Sequence, residues 1–323
     1  MRFGSAIEIC ISNNGSTDDT KTVIAEFQNR LKLKVWHQNR NIGATLNIIA
    51  VAQMISGRWG LLVGDDDELI AEAIGELLEF LKTIDGNSWV LVEAGSLEGK
   101  QQYFSQFQDG EYGSAQFRTR LLWAGLNSFG FMGVHVFPKV AVSQFGKLDI
   151  EDSQPWPHIA ALLRELIDFN RTVHLFKRTV VAQAKGGAKL FWTGGDLARI
   201  RLAKIRILMR AYKHSRRQFG FYHLMMLREL YARSSFTSLM AWKLYETEDF
   251  DLNAVKTYRR SYSWLGCCLP FALPHAALMF FLRILPDSIY VNCFRMIGQG
   301  ELLPRYQTLK NELGVFDGIK RGI

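Results

Sequence analysis

The sequence predicts an α/β protein, with a mostly parallel sheet covered by helices on both faces in its N-terminal part and a mainly helical region after it. Three observations carry this expectation. Short Ile-, Val- and Leu-rich runs alternate with apolar stripes at helical spacing as far as residue 93, and polar clusters stand at the ends of the strand-like runs. From about residue 197 onward the pattern is helical and basic, with Arg, Lys and aromatic residues interleaved. At 323 residues, 48% hydrophobic and 22% charged, the chain can bury a core and divides into predicted domains at 1–195 and 196–323.

Each element follows from its own residues. "AIEICIS" (6–12) alternates and is rich in Ile, as a strand requires. "NNGSTDDT" follows it, with Ser16 and Asp19 spaced for a helix start, and then Val23, Ile24, Phe27 and Leu31 recur at helical spacing. "LKVWHQ" (33–38) reads as a strand, "NRNIG" (39–43) as a turn, and 44–56 as a second helix. "WGLLV" (59–63) is a strand closed by "GDDDE", after which Ile70, Ile74, Leu77, Leu78 and Leu81 mark a third helix and "SWVLVE" (88–93) a further strand. Beyond residue 95 the signal is sparser: strands at 131–137 and 172–183, a helix at 158–167, and a Gly-rich link at 185–196.

Charge is unevenly placed. Residues 1–195 hold 19 Lys and Arg against 21 Asp and Glu, whereas 196–262 hold 14 against 6, so the net charge of +8 arises in the C-terminal part. Such a segment is a solvated face or a surface for phosphates on nucleic acid or a membrane, and no nucleic-acid motif accompanies it. Residues 264–282 lack Asp, Glu, Lys and Arg but contain Pro270, Pro274 and His275; the readings are a buried helical hairpin, an in-plane or re-entrant membrane contact, or a crossing. Cys10, Cys267, Cys268 and Cys293 have neither metal-ligand spacing nor the density of a disulfide scaffold, which predicts a reducing, cytoplasmic setting. No signal-peptide pattern opens the chain.

Asp65, Asp66 and Asp67 stand side by side at a strand end. Adjacent carboxylates repel, which raises their pKa values unless a cation intervenes, and Mg²⁺ or Mn²⁺ is held by one or two carboxylates with substrate phosphates. The plainer reading is that these acids cap the following helix, although capping needs only one. In open α/β sheets ligands bind beyond the carboxyl ends of the strands, where both "NNGSTDDT" and "GDDDE" fall.

"EICISNNGSTDDT", "NRNIGATLN" and an apolar strand ending in "GDDDEL", in this order and spacing, resemble family 2 glycosyltransferases of the GT-A fold, most closely the branch with abequosyltransferases and other O-antigen sugar transferases. The resemblance is clear over 7–80 and loose over 125–195. It implies a nucleotide-sugar donor bound by Asn13, Asn14, Asn41, Gly43 and Asp65, with Asn13 where the family has a base-contacting Asp. It also implies a divalent metal (Mg²⁺ or Mn²⁺) on Asp66, assisted by Asp67 or Asp65, with Gly64 where the family has the first acid of D-x-D-D. For the base that takes the acceptor's proton it points to Asp152 in "LDIEDSQPWPHIA", with His158 and Glu151 as further candidates, and Trp192 could stack on a sugar. The implied acceptor is a polyprenyl-diphosphate-linked glycan at an anionic membrane surface, met from the cytoplasmic side, in O-antigen or other polysaccharide synthesis, with no nucleic acid involved.

Family members usually place a strand and a P-x-Y-N-like turn ahead of the segment matching "EICISNNGS", and this chain starts at about the second strand. Either that strand lies upstream or the sheet lacks it, exposing its neighbours. Two other functions stay open: an inactive relative acting as a membrane-associated partner, and a metal-dependent sugar nucleotidyltransferase, whose usual Gly-rich phosphate loop is not seen here.

Overall fold

The computed structural model describes residues 6–96, 104, 107–148 and 156–183, together with single positions between 204 and 229. The chain divides into two compact units, Met1–Lys189 with Arg206–Met225, and Leu190–Ile205 with Met226–Ile323. In the second unit Lys204 Nζ lies 3.5 Å from Glu229 Oε2, both side chains being buried. A charge so placed is strongly destabilising without its partner.

The first unit contains two sheets. β1 (Ile9–Asn13) and β2 (Leu33–His37) pair in parallel, with Ile9 opposite Leu33 and Asn13 opposite His37. They are joined by α1 (Thr20–Gln28), and β2 leads through α2 (Ala44–Met54) to β3 (Trp59–Leu61). The chain then forms β4 (Asp67–Leu69), α3 (Ala71–Thr83), β5 (Trp89–Ser96), β6 (Gly110–Tyr112), α4 (Ser114–Ala124), β7 (His135–Pro138), the short α5 (Val142–Phe145), α6 (Pro157–Asp168) and β8 (Val173–Gln183). The second sheet runs in the order β3-β7-β5-β8-β4, with β6 also on β8.

The α/β architecture stands, with a sheet of mixed sense: among the described strands β1–β2 and β5–β8 are parallel and the other pairs antiparallel. β8 is long enough to carry β6 against Val173–Leu175 and β4 against Val181–Gln183 on the same edge. The core lies on this larger sheet. Trp89 to Val92 of β5 and Val180 to Ala182 of β8 are fully buried, as are Ile159, Leu163 and Leu166 of α6. Phe104, Phe107, Phe117 and Phe129 extend it, with ring centroids 5.2 to 6.3 Å apart.

The smaller sheet is thinly covered. Of the stripe Val23, Ile24, Phe27 and Leu31, only Ile24 is buried; Val23 is 42% and Phe27 44% exposed, and Ile9 of β1 is 42% exposed. Among the described residues β1 pairs only with β2 and β3 only with β7, which leaves one ladder edge open on each. Glu8 links the two sheets. Its carboxylate accepts from Lys34 Nζ (2.5 Å), from Ser56 Oγ (2.6 Å) and from the backbone N–H groups of Ser56 and Gly57, just ahead of β3. Desolvation raises its pKa, but these four donors outweigh that and hold it at about 2.

Two local expectations are corrected. Helix α1 starts at Thr20 rather than near Ser16, and Asp18 Oδ1 accepts from both Thr20 N (3.1 Å) and Thr20 Oγ1 (2.5 Å). The acidic triplet does not cap α3: β4 intervenes, and Ile70 at the helix start supplies no side-chain cap.

Candidate donor site at the strand ends

The C-terminal end of β1 supplies Asn13 and Asn14, and the turn after β2 supplies Asn41 and Gly43. The structure brings these four together. Asn14 Nδ2 donates to Asn41 Oδ1 (3.1 Å) while Asn14 Oδ1 accepts from Ile42 N (2.9 Å), and Asn41 Oδ1 also accepts from Gly43 N (2.8 Å). Gly43, at φ +85°, then opens α2. The approach of the loops depends on Gly15, at φ +72°, where a Cβ would stand 2.5 Å from Arg40 C and 2.6 Å from Asn41 N. Ser12 Oγ donates to Asn47 Oδ1 (2.6 Å) and Asn47 Nδ2 to Ser12 O (3.1 Å), pinning α2 to β1 behind the loops.

The acidic turn stands on the other sheet, between β3 and β4. Gly64 N donates to Asp67 Oδ2 (3.2 Å) and Asp67 N to Gly64 O (3.4 Å), closing a tight turn. Asp66 Oδ1 and Asp67 Oδ2 lie 2.8 and 2.9 Å from where a Gly64 Cβ would be, so the two carboxylates converge over this glycine. A side chain at 64 would occupy the space between them, which accounts for Gly where the family pattern has an acid. Partial burial raises the Asp67 pKa, the Gly64 N–H opposes this, and Asp66 and Asp65 raise it further. Asp65 and Asp66 are exposed. Among the described residues no group of three or more His, Cys, Asp or Glu side chains is gathered as a metal cage. Two convergent carboxylates on an exposed turn do fit Mg²⁺ or Mn²⁺ completed by phosphate oxygens and water.

His158, the second residue of α6, is 1% exposed. Its Nε2 faces the Phe129 carbonyl at 3.2 Å, where His135 Nε2 also points at 2.8 Å, and Trp89 Nε1 donates to His135 Nδ1 at 3.3 Å. Burial, then neighbouring His135, pushes His158 well below the ordinary histidine value, while burial lowers His135 to about 4. Both rings are neutral donors to one carbonyl. Glu151, Asp152, Trp192 and residues 264–282 lie outside the described residues, and among those described no helix is long and apolar enough to cross a membrane.

Sequence reasoning missed Gly15, His37, Asn47 and Met132. His37 Nδ1 lies 3.3 Å from Asn13 Nδ2, and the Met132 methyl stands 3.4 Å from the position of a Gly64 Cβ. For Gly15 the signal was available, a glycine in a polar turn at a strand end; the other three depend on contacts between distant segments.

Loops at the ends of strands in a mixed sheet under helices define a GT-A-like fold. The solved structure of S. aureus TarS 1-349 in complex with UDP superposes with a TM-score of 0.55 at 13% identity, over 98% of this chain and 86% of that one. The S. aureus TarS structure gives 0.53 at 12% identity, over 76% of this chain and 45% of that one. Residues 2–139 match the family described as "Glycosyl transferase family 2". Abequosyltransferase RfbV of Salmonella typhimurium is 30% identical over 82 residues, a match that spans 25% of this chain and 25% of that protein.

Proposed function

We propose that the chain transfers a sugar from a nucleotide-sugar donor to a hydroxyl of a polyprenyl-diphosphate-linked glycan in O-antigen or other cell-surface polysaccharide synthesis. The observation that carries this reading is the convergence of Asp66 Oδ1 and Asp67 Oδ2 over Gly64, on the turn that follows β3. The Asn14–Asn41 loop pair at the end of the smaller sheet supplies backbone and amide groups for the nucleoside. That UDP and UDP-GlcNAc are bound by TarS, a protein of similar fold, supports a donor of this class.

Asp66 and Asp67 would hold the divalent ion, with Asp65 assisting from the exposed side of the turn. Bound there, such an ion neutralises charge on the departing diphosphate. Asp152 is the proposed base that takes the acceptor hydroxyl proton, Glu151 is its acidic neighbour, and the transfer is a displacement at the anomeric carbon. For His158 to act as base an acceptor would have to reach its buried imidazole; in the present geometry it holds the start of α6 through the Phe129 carbonyl. The basic residues of 196–262 and the apolar stretch 264–282 are proposed to hold the enzyme against anionic lipid at the cytoplasmic face of the membrane.

The test is a panel of nucleotide sugars with Mg²⁺ or Mn²⁺, scored for transfer and for donor hydrolysis, with the wild type beside Asp66→Ala. The expected outcome is metal-dependent turnover lost by at least about a hundredfold in the variant. Turnover unchanged by the substitution refutes the role of the acidic turn. That β1 and β3 each pair on one side alone among the described residues favours one second reading, an inactive relative that acts as a membrane-associated partner. That reading predicts no turnover with any donor while association with anionic vesicles persists.

A further inference from the structure

We infer that Met132 is a positioning residue whose methyl group keeps Asp66 and Asp67 converged for a divalent ion, and that the buried pair His135 and His158 fixes Met132 in that place. This rests on the donor-site reading above. Asp66 Oδ1, Asp67 Oδ2 and Met132 Cε are the three nearest atoms to the point a Gly64 Cβ would occupy, at 2.8, 2.9 and 3.4 Å. Two carboxylates so close repel, and without a cation between them the turn gains by letting them part. Gly64 has no side chain to prevent this. The methyl group fills one side of the space above it, so a carboxylate swinging that way meets carbon instead of water.

Met132 is held from both ends of its segment. Upstream, the Phe129 carbonyl accepts from His135 Nε2 at 2.8 Å and from His158 Nε2 at 3.2 Å, and both rings are buried. Trp89 Nε1 donates to His135 Nδ1 at 3.3 Å, which fixes that ring as the Nε2–H tautomer. A carbonyl gripped by two imidazoles cannot turn away without leaving both N–H groups unpaired in the core. Downstream, Met132–Val134 form a single 3₁₀ turn that runs directly into β7, where Val136 stands opposite Leu61 of β3. A Cβ at Gly133 would lie 3.1 Å from Val181 Cγ1 of β8, and Val181 pairs with Leu69 of β4. The strands on either side of the acidic turn are therefore laddered to the same two strands that seat Met132. The methyl and the carboxylates keep their spacing as one rigid unit, and the ion need not order them.

The experiment is titration of the full chain with Mn²⁺ alone, read from the free-ion electron paramagnetic resonance signal. Melting temperatures are measured alongside, and every titration is made below the lowest of them. The wild type is expected to take up Mn²⁺ and Asp66→Ala to lose it. Met132→Ala should weaken uptake about tenfold, while Met132→Leu, of similar volume, should restore most of it. His158→Leu should weaken uptake about threefold or more, and His158→Gln, which keeps an N–H donor, should recover it. Equal affinities in wild type and Met132→Ala overturn the inference, as does a loss in Met132→Leu as large as in Met132→Ala. Affinity unchanged in His158→Leu overturns the role of the histidine pair. No uptake by the wild type, or uptake that survives Asp66→Ala, overturns the donor-site reading itself and this inference with it.

Discussion

Replacing Glu8 by Gln should cost stability in a strongly pH-dependent way. The Glu8 carboxylate accepts from Lys34, from the Ser56 hydroxyl and from two successive backbone N–H groups, and its pKa is held at about 2 against an ordinary 4.5. That gap corresponds to about 3 kcal/mol of preference for the charged form. Since 28% of the side chain is exposed, solvent screening leaves about 1 to 2 kcal/mol as stability. The sign follows from linkage: a carboxylate with a depressed folded-state pKa stabilises fully above about 4.5, and the contribution fades as pH falls through about 2. Urea unfolding at pH 7, 5, 4 and 3, followed by circular dichroism, should show a difference between wild type and Glu8→Gln of about 1 to 2 kcal/mol at pH 7 that narrows steadily below pH 4.5. A difference that stays constant from pH 7 to pH 3 would refute the assignment of the stabilisation to the charged carboxylate.

Three further outcomes are expected. Gly64→Ala places a methyl against the flexible ends of Asp66 and Asp67 and should weaken Mn²⁺-dependent nucleotide binding about tenfold or more, with a stability change under about 1 kcal/mol; titration calorimetry beside thermal melting separates the two effects. Gly15→Ala meets backbone atoms of Arg40 and Asn41 at positive φ, and should destabilise by about 1 to 3 kcal/mol in denaturant unfolding, with nucleotide binding weakened as the two loops part. Burial lowers the His135 pKa to about 4 from 6.5, so its neutral state stabilises fully above pH 6.5 and that contribution is lost as pH falls through about 4; His135→Asn should flatten the fall in melting temperature between pH 6.5 and 4, compared with wild type.

The helices α2, α3 and α6 and strands β1, β2, β5 and β8 were legible because each is long enough to show its period and is bounded by polar turns. β4 and β6 were not, being three residues each: Asp67–Leu69 carries two acids in place of an apolar alternation and is a strand only because β8 offers Val181–Gln183 as a partner. Helix α4 escaped because its first turns are polar, with Phe117 and Leu121 alone reaching the core. At the candidate site, the polar groups were legible as types at strand ends. The sequence could not convey the convergence of Asp66 and Asp67 over Gly64, or the seating of Asn13 between Ser16 and His37, because both depend on which oxygen or nitrogen turns toward which neighbour.

Among the described residues β1 and β3 each pair on one side alone, and this has a colloidal consequence. A strand edge without a partner, next to an exposed side chain such as Ile9 of β1, is a template onto which extended peptide from a neighbouring molecule can zip, the same chemistry that seeds fibrils. Preparations should therefore lose monomer faster as concentration rises, and a lysine at Ile9 or a proline in β3 would be the first substitutions for keeping the protein in solution.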